Sequence, residues 1–322
     1  MSKIHEALRK VRESSEPAKT TKSESTNVEV SVADSEGTGS LASLDETITL
    51  STLTDDQIPE HLRDADKRYA GRPVVVDLAT LHAEGYLSDG DGQHRLADEL
   101  RLIKRPILAN ARGKRVVRPE LANLVMVGSA LSNEGKTFTC INLALSIASE
   151  RDWNVLLIDS DTAKQHLTDL FAAGGERGLL DLLRDPSLDP NDLIMPTNIP
   201  SLSVLPAGQR DNNAAELLAS ERMDQLAREI SNDDKFRITI FDSSPLLLTT
   251  ESAILSSHVG QIALVVSAGH TSQSDVTSAV EKLDSSKSIN AILNKAESSS
   301  VGSYGGYYGY YGRESTDDDD KE

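Results

Sequence analysis

The sequence has few aromatic residues, one cysteine and no long hydrophobic run. Aromatic residues make up only 4% of the 322 residues, and five of the seven tyrosines lie after residue 303. The lone Cys140 excludes an internal disulfide bond, which is typical of a protein in a reducing compartment. No apolar segment approaches the roughly 20 residues that cross a bilayer, and the N-terminus lacks a hydrophobic signal region. We therefore expect a cytoplasmic protein that reaches the inner face of the plasma membrane only through a partner.

The sequence also has fewer basic than acidic residues. Lysine and arginine total 33 against 51 acidic residues, which gives a net charge of -18 at pH 7. A phosphate backbone needs a basic surface, so this balance excludes nucleic acid as the main partner.

Changes in composition and hydrophobic pattern divide the chain into five segments. A short amphipathic helix that could bind a partner is predicted first, and a linker rich in Ser, Thr, Asp and Glu follows it. The next segment contains a short strand and a helix, and the largest is an α/β domain. A flexible, acidic, Tyr- and Gly-rich tail ends the chain. The predicted boundaries are 1–13, 14–68, 69–120, 121–296 and 297–322.

The α/β domain is predicted from apolar runs of strand length that alternate with helical patterns. Continuous apolar strands are buried on both faces, as in a mostly parallel sheet with helices on either side. We expect a doubly wound sheet that binds its ligand at the carboxyl ends of the strands. The predicted strands are 124–127, 155–158, 202–205, 238–241, 262–266 and 289–293, and the predicted helices are 136–150, 214–230 and 274–283.

The strongest motif is the run ALSNEGKT at residues 130–137, between a predicted strand and a predicted helix. This is the context of a P-loop, whose backbone N–H groups and helix N-terminus hold the phosphates of a nucleotide. Lys136 would contact the β- and γ-phosphates, and Thr137 would offer its hydroxyl group to Mg²⁺. The predicted ATP-binding residues are Ser132, Asn133, Glu134, Gly135, Lys136, Thr137 and Phe138.

Three aspartates follow predicted strands. Asp159 and Asp161 are two residues apart, so both side chains point to one side of an extended chain. A divalent cation would relieve their repulsion, and Asp242 follows another strand where P-loop enzymes hold a Mg²⁺-bound water. We expect Mg²⁺ to bind Thr137, Asp161 and Asp242, with Asp159 as the base for a tyrosine hydroxyl. The roles of Asp159 and Asp161 could be exchanged.

The tail contains the predicted phosphate acceptors. Aromatic residues in a Gly-rich segment have no core to fill, so these side chains either accept phosphate or belong to a low-complexity tail without catalytic function. The tyrosines concerned are Tyr304, Tyr307, Tyr308, Tyr310 and Tyr311.

Together these motifs resemble the bacterial tyrosine autokinases of exopolysaccharide loci, in particular the exosortase-associated type without a membrane anchor. The resemblance implies a P-loop NTPase of the SIMIBI type that phosphorylates its tail in trans within a ring-shaped homo-oligomer. It implies catalytic roles for Lys136, Asp159, Asp161 and Asp242, an activating membrane-bound co-polymerase that sets polysaccharide chain length, and a partner phosphatase. Besides the N-terminal helix and the tyrosine cluster, it rests on residues 98–108, 128–137, 156–161, 216–223 and 241–250.

A helix predicted over residues 95–110 carries Asp98, Arg101 and Lys104 at three-residue spacing, which would place them on one side. The spacing alone suits a solvated face, whereas the resemblance implies an oligomerisation helix. The chain departs from the family pattern in three places: Ser132-Asn133 replaces Pro-Gly, Lys164 replaces Arg, and Ser244 replaces Pro. Two alternatives stay open: a positioning ATPase of the MinD or ParA type, which would share the fold and the Mg²⁺ site, and a non-catalytic ATP-binding regulator, which the altered loop residues would support.

Overall fold

A computed structural model describes residues 69–83, 85–86, 91–113 and 120–296. The predicted N-terminal helix, the linker and the tyrosine-rich tail lie outside these residues. Among the described helices, none combines the length and apolar character needed to cross a bilayer.

The centre of the molecule is a seven-stranded sheet with the order β3-β4-β2-β5-β1-β6-β7. All neighbouring strands are parallel except the β3–β4 pair at one edge. The strands are β1 (Leu124–Ser129), β2 (Asn154–Asp159), β3 (Met195–Pro196), β4 (Leu202–Leu205), β5 (Arg237–Asp242), β6 (Gln261–Ser267) and β7 (Ser288–Asn294).

Ten helices are described, and they connect and flank these strands. They are α1 (Leu78–Ala83), α2 (Asp91–Ala111), α3 (Lys136–Ala148), α4 (His166–Leu170), α5 (Leu179–Arg184), α6 (Pro190–Leu193), α7 (Ala214–Leu218), α8 (Glu221–Asp233), α9 (Glu251–Ser257) and α10 (Gln273–Glu281). The predicted single helix over 214–230 is therefore wrong in one detail. Ser220 interrupts it, because its hydroxyl group accepts a hydrogen bond from the Met223 N–H and caps a new helix.

The predicted doubly wound architecture is confirmed. Each central strand has continuous burial, since helices cover both faces of the sheet, and all six residues of β1 and of β5 are buried. The predicted strands are each present and extend by one or two residues, apart from 202–205, which matches β4. The predicted strand at 74–76 is reduced to one parallel bridge between Val74 and Thr197.

Helix α2 corrects two expectations. A proline inside a helix is expected to kink it or restart it, but α2 runs continuously through Pro106. Asp98 and Arg101 are exposed and form an ion pair, but Lys104 is buried on another side of the helix. Its ammonium group donates to the Ser146 carbonyl at 2.6 Å and pairs with Glu150 at 2.8 Å. Each three-residue step falls about 60° short of a full turn, so two steps turn Lys104 by about 120° from Asp98.

Candidate nucleotide and metal site

The loop between β1 and α3 has the backbone of a phosphate-binding loop. Gly135 adopts φ 98° and Asn133 adopts φ 63°, both in the left-handed region. Asparagine tolerates this region better than most residues, and glycine adopts it without strain. A Cβ atom on Gly135 would lie 2.1 Å from the side-chain amide nitrogen of Asn294, so neither the conformation nor the space admits a side chain.

The acidic side chain inside this loop holds the loop to the sheet. Glu134 is 2% exposed, and one carboxylate oxygen accepts from the Leu131 N–H at 2.5 Å. Its other oxygen accepts from the Ser267 N–H at the end of β6 and from the Thr271 hydroxyl group in the connection that follows. Because these acceptors and donors are buried together, breaking one bond leaves an unsatisfied polar group.

The end of strand β7 holds the loop from the other side. The Asn294 amide donates to the Glu134 carbonyl at 2.9 Å, and the Lys295 ammonium group donates to the Asn133 carbonyl at 2.6 Å. Because the carbonyl groups of Asn133 and Glu134 both accept these hydrogen bonds, their peptide groups cannot turn freely. The last residue of β7 and the residue after it therefore fix the loop.

The three predicted carboxylates lie together beside this loop. Strands β2 and β5 are neighbours, and Asp159 and Asp242 are partners in their register. Asp242 accepts a hydrogen bond from the Thr137 hydroxyl group at 2.7 Å, which joins β5 to the first turn of α3. Asp159 is fully buried and accepts from the Thr168 N–H at 2.8 Å, from the Thr168 hydroxyl group at 2.7 Å and from the Asp161 N–H at 3.1 Å.

Burial shapes the protonation of this cluster. Desolvation raises the pKa of Asp242 to about 7, although the hydrogen bond from Thr137 opposes the shift. Desolvation also raises the pKa of Asp159 to about 6 against its hydrogen bonds from Thr168. The pKa of the Lys136 ammonium group is lowered by burial, and the charges of Asp242 and Asp161 act in the opposite direction. Burial therefore favours the neutral forms of Asp159, Asp242 and Lys136.

The donor set fits Mg²⁺ bound together with a nucleotide. Magnesium prefers hard oxygen ligands and keeps several waters and phosphate oxygens, so one hydroxyl group and one or two carboxylates suffice. A pKa of about 7 for Asp242 indicates a carboxylate that a cation would stabilise in its charged form. The described residues contain no group of three or more His, Cys, Asp or Glu side chains that would form a protein-only metal cage.

The structure thus brings together Lys136, Thr137 and the three aspartates, as predicted. Phe138 turns away from the loop, and its ring packs on Tyr86 at 5.4 Å between centroids. The predicted acceptor tyrosines lie outside the described residues. Of the predicted oligomerisation residues, only Asp98 and Arg101 are on the exposed side of α2, since Lys104 packs against α3.

Sequence reasoning missed the residues that hold the site. Glu134 was assigned to phosphate binding as part of the loop, whereas its side chain is turned into the protein. Thr168 and Thr271 had no motif, because their function depends on contacts between distant segments. The signal for Asn294 and Lys295 was their position at the end of the last strand, on the edge where the ligand binds.

Comparison with known proteins identifies related chains. Profiles of known protein families give no match. Tyrosine-protein kinase CpsD of Streptococcus agalactiae is 34% identical over 179 residues, which are 55% of this chain and 76% of that protein. Tyrosine-protein kinase YwqD of Bacillus subtilis is 35% identical over 173 residues, or 53% of this chain and 71% of that protein. Tyrosine-protein kinase wzc of Salmonella typhi is 32% identical over 162 residues, and the match spans only 22% of that longer protein.

Solved structures give the same result for the fold. The kinase domain of Escherichia coli tyrosine kinase ETK superposes with a TM-score of 0.52 at 25% identity, over 62% of this chain and 77% of that one. The kinase domain of VpsO superposes with a TM-score of 0.51 at 28% identity, over 65% of this chain and 100% of that one. The described domain therefore has the P-loop NTPase fold of these kinase domains.

Proposed function

Because the chain belongs to the bacterial tyrosine-protein kinase family, we propose that it transfers the γ-phosphoryl group of ATP to tyrosine hydroxyl groups, including those of its own tail. The observation that supports this proposal is the meeting of one ammonium group and three carboxylates beside a P-loop. Lys136 lies within electrostatic range of Asp161 and Asp242, and Asp159 neighbours Asp242 across two strands. Phosphoryl transfer depends mainly on such positioning and charge neutralisation.

Each side chain has a distinct task in this reaction. The loop amides and Lys136 would hold the phosphates, and Thr137 and Asp242 would hold Mg²⁺ together with one carboxylate of the Asp159–Asp161 pair. When bound, the cation neutralises charge on the phosphate oxygens. Burial lowers the pKa of Lys136, and the phosphates of a nucleotide would favour its charged form.

The second carboxylate of the pair accepts the phenol proton. The tyrosine oxygen forms the new bond to the γ-phosphorus, the bond from that phosphorus to the bridging oxygen of ADP breaks, and ADP leaves with its electron pair. Asp161 suits the proton transfer better than Asp159. Asp159 is fully buried with three hydrogen bonds to its oxygens, whereas Asp161 is 8% exposed and accepts only a longer bond, 3.3 Å, from the Lys164 N–H.

The acceptors and assembly follow from the resemblance of the sequence. We infer that Tyr304, Tyr307, Tyr308, Tyr310 and Tyr311 are phosphorylated in trans within a homo-oligomeric ring. Each phosphate adds a charge of about -1.5 to -2 to an acidic tail, which would loosen the ring and limit the cycle. A membrane-bound co-polymerase would activate the kinase and recruit it to the membrane, a phosphatase would reverse the reaction, and the output would be control of exopolysaccharide synthesis or export.

The test is phosphotyrosine detection after purified protein is incubated with ATP and Mg²⁺. We expect tail labelling in the parent and none in Lys136→Met. Lys235→Met changes an exposed lysine of the turn before β5 and should label like the parent. Labelling of Lys136→Met at the parent level would refute the mechanism. Phosphate release without labelling would point to a positioning ATPase, and ATP binding without either would point to a regulator.

A further inference from the structure

A buried chain of hydrogen bonds joins the loop that follows β4 to the carboxylate at the end of β2. Thr168, in helix α4, is 3% exposed. Its hydroxyl group accepts from the Ala207 N–H at 3.0 Å and donates to Oδ2 of Asp159 at 2.7 Å. Its backbone N–H donates to the same oxygen at 2.8 Å. One threonine therefore makes two of the three hydrogen bonds that hold the Asp159 carboxylate.

The direction of this chain is fixed by its first member. A backbone N–H can only donate, so the Thr168 oxygen is the acceptor for Ala207 and the hydroxyl proton points at Asp159. Each carboxylate oxygen has two lone pairs, and the two donors of Thr168 occupy those of Oδ2. Within the described part of the chain, Oδ1 accepts only from the Asp161 N–H at 3.1 Å. Thr168 thus determines which oxygen of Asp159 keeps a free acceptor position.

The other end of the network lies in the backbone of Asp161. Because the Asp161 N–H donates to Asp159, the side chain that Thr168 orients also holds the peptide group from which Asp161 projects. The Asp161 carboxylate is within electrostatic range of Lys136, the lysine of the P-loop. One buried hydroxyl group therefore bears on both members of the carboxylate pair.

The loop after β4 provides a fixed base for the network. The Leu180 N–H donates to the Ala207 carbonyl at 3.0 Å, so the peptide on that side of Ala207 is held while its N–H directs Thr168. The Gln165 amide, just before α4, donates to the Gly208 carbonyl at 3.0 Å. Groups that are held before a ligand binds lose less freedom when it does.

We propose that Thr168 is a positioning residue of the magnesium–nucleotide site, which acts through Asp159 and the Asp161 backbone. The inference rests on the proposed function, because it concerns the Mg²⁺ that accompanies ATP. Hydrogen-bonded partners of metal ligands set the orientation of those ligands, so loss of the Thr168 hydroxyl group should weaken Mg²⁺ binding. The P-loop amides and Lys136 lie outside this network, so nucleotide binding without Mg²⁺ should not depend on Thr168.

Two substitutions separate the hydroxyl group from the rest of the side chain. Thr168→Val keeps the shape and the backbone N–H but removes the side-chain donor to Asp159, whereas Thr168→Ser keeps the hydroxyl group and removes a methyl group. Thr239→Val is the matched control. Thr239 is fully buried on β5, and its hydroxyl group has no hydrogen-bond partner among the residues that the structure describes.

Binding of a fluorescent ATP analogue is titrated with Mg²⁺ and repeated in EDTA, and urea unfolding in EDTA reports on the fold. We expect Thr168→Val to raise the Mg²⁺ concentration at half-maximal binding about tenfold, with unchanged affinity in EDTA. Its urea midpoint should fall, because the Ala207 N–H loses its acceptor. Tyrosine labelling by this variant should recover as Mg²⁺ is raised. Thr168→Ser and Thr239→Val should require no more Mg²⁺ than the parent.

An unchanged Mg²⁺ requirement in Thr168→Val, or an equal rise in Thr239→Val, would overturn the positioning role. If Thr168→Val does not fold, Thr168→Ser still decides, because a raised Mg²⁺ requirement in this variant would show that the hydroxyl group does not position the carboxylates. A parent that binds the analogue equally well with and without Mg²⁺ would also overturn the inference. A parent whose binding responds to Mg²⁺ but which labels no tyrosine would instead refute the proposed kinase function.

Discussion

The buried Asp242 carboxylate should make the nucleotide-free protein less stable than an otherwise identical chain with Asn at this position. The side chain is 1% exposed, and desolvation raises its pKa from 3.8 to about 7. At 1.36 kcal/mol for each pH unit, ionised Asp242 costs the folded state at most about 4 kcal/mol above pH 7. Asp242→Asn keeps the shape and an oxygen that accepts from Thr137, but it removes the charge. We expect the variant to gain about 1–4 kcal/mol of unfolding free energy at pH 8.

The sign of the pH dependence follows from the raised pKa. Below about pH 3 the carboxyl group is mostly neutral in both the folded and the unfolded chain, and the penalty is small. As pH rises from about 4 to about 7, the unfolded chain releases its proton while folded Asp242 keeps it, so the stability of the parent falls. Above about pH 7 the penalty is constant. The advantage of Asp242→Asn should therefore grow between these values and then level off.

Urea unfolding of the nucleotide-free proteins in EDTA, at steps from pH 5 to pH 8.5, measures this difference. Asp192→Asn replaces an exposed carboxylate on α6 and should change stability by less than about 0.5 kcal/mol. Asp242→Asn should also fail to label tyrosine in the presence of ATP and Mg²⁺. A variant less stable than the parent at pH 8, or an advantage that shrinks with rising pH, would show that burial does not penalise this carboxylate.

Three further substitutions test how the site is held. Glu134→Gln turns one acceptor into a donor and should weaken ATP binding about three- to tenfold, measured with a fluorescent ATP analogue. Unchanged affinity would mean that the hydrogen bonds of the Glu134 carboxylate are not needed to hold the loop. Gly135→Ala forces a methyl group against the Asn294 amide at positive φ and should reduce ATP affinity at least tenfold in the same assay, and affinity at the parent level would refute this steric argument. Lys104→Met loses the bond to Ser146 and should lower the free energy of unfolding by about 1–3 kcal/mol while ATP affinity stays the same, and a change in oligomer size alone would contradict that structural role.

The sheet and the catalytic groups could be predicted because their signals are local in the sequence. Strands buried on both faces appear as unbroken apolar runs, so β1, β2, β5 and β6 were found within one or two residues. The aspartates at the ends of β2 and β5 could be placed together, since parallel strands bring their carboxyl ends to one edge.

Long-range contacts explain what the sequence did not reveal. The short strand β3 pairs with β4 through only two residues, too few to show a period. Lys104 was assigned to an outer face because the helical pattern alone does not show which partner packs on α2. The structure supplies that partner, the carbonyl of Ser146 at the end of α3, and the buried ammonium group then belongs to the α2–α3 contact rather than to a free surface.

The same long-range contacts bear on the altered P-loop. The chain has Ser132-Asn133 where the sequences that it resembles have Pro-Gly, and a loop without these residues has more backbone freedom to lose on folding. Here Asn133 takes the left-handed conformation itself, and its carbonyl is held by Lys295, while the next carbonyl is held by Asn294. Side chains from β7 thus supply the restraint that Pro and Gly supply through the backbone. Since both contacts come from the last residues before the tail, the order of the phosphate-binding loop depends on how β7 ends, and a substitution there should act on nucleotide affinity before it acts on the fold.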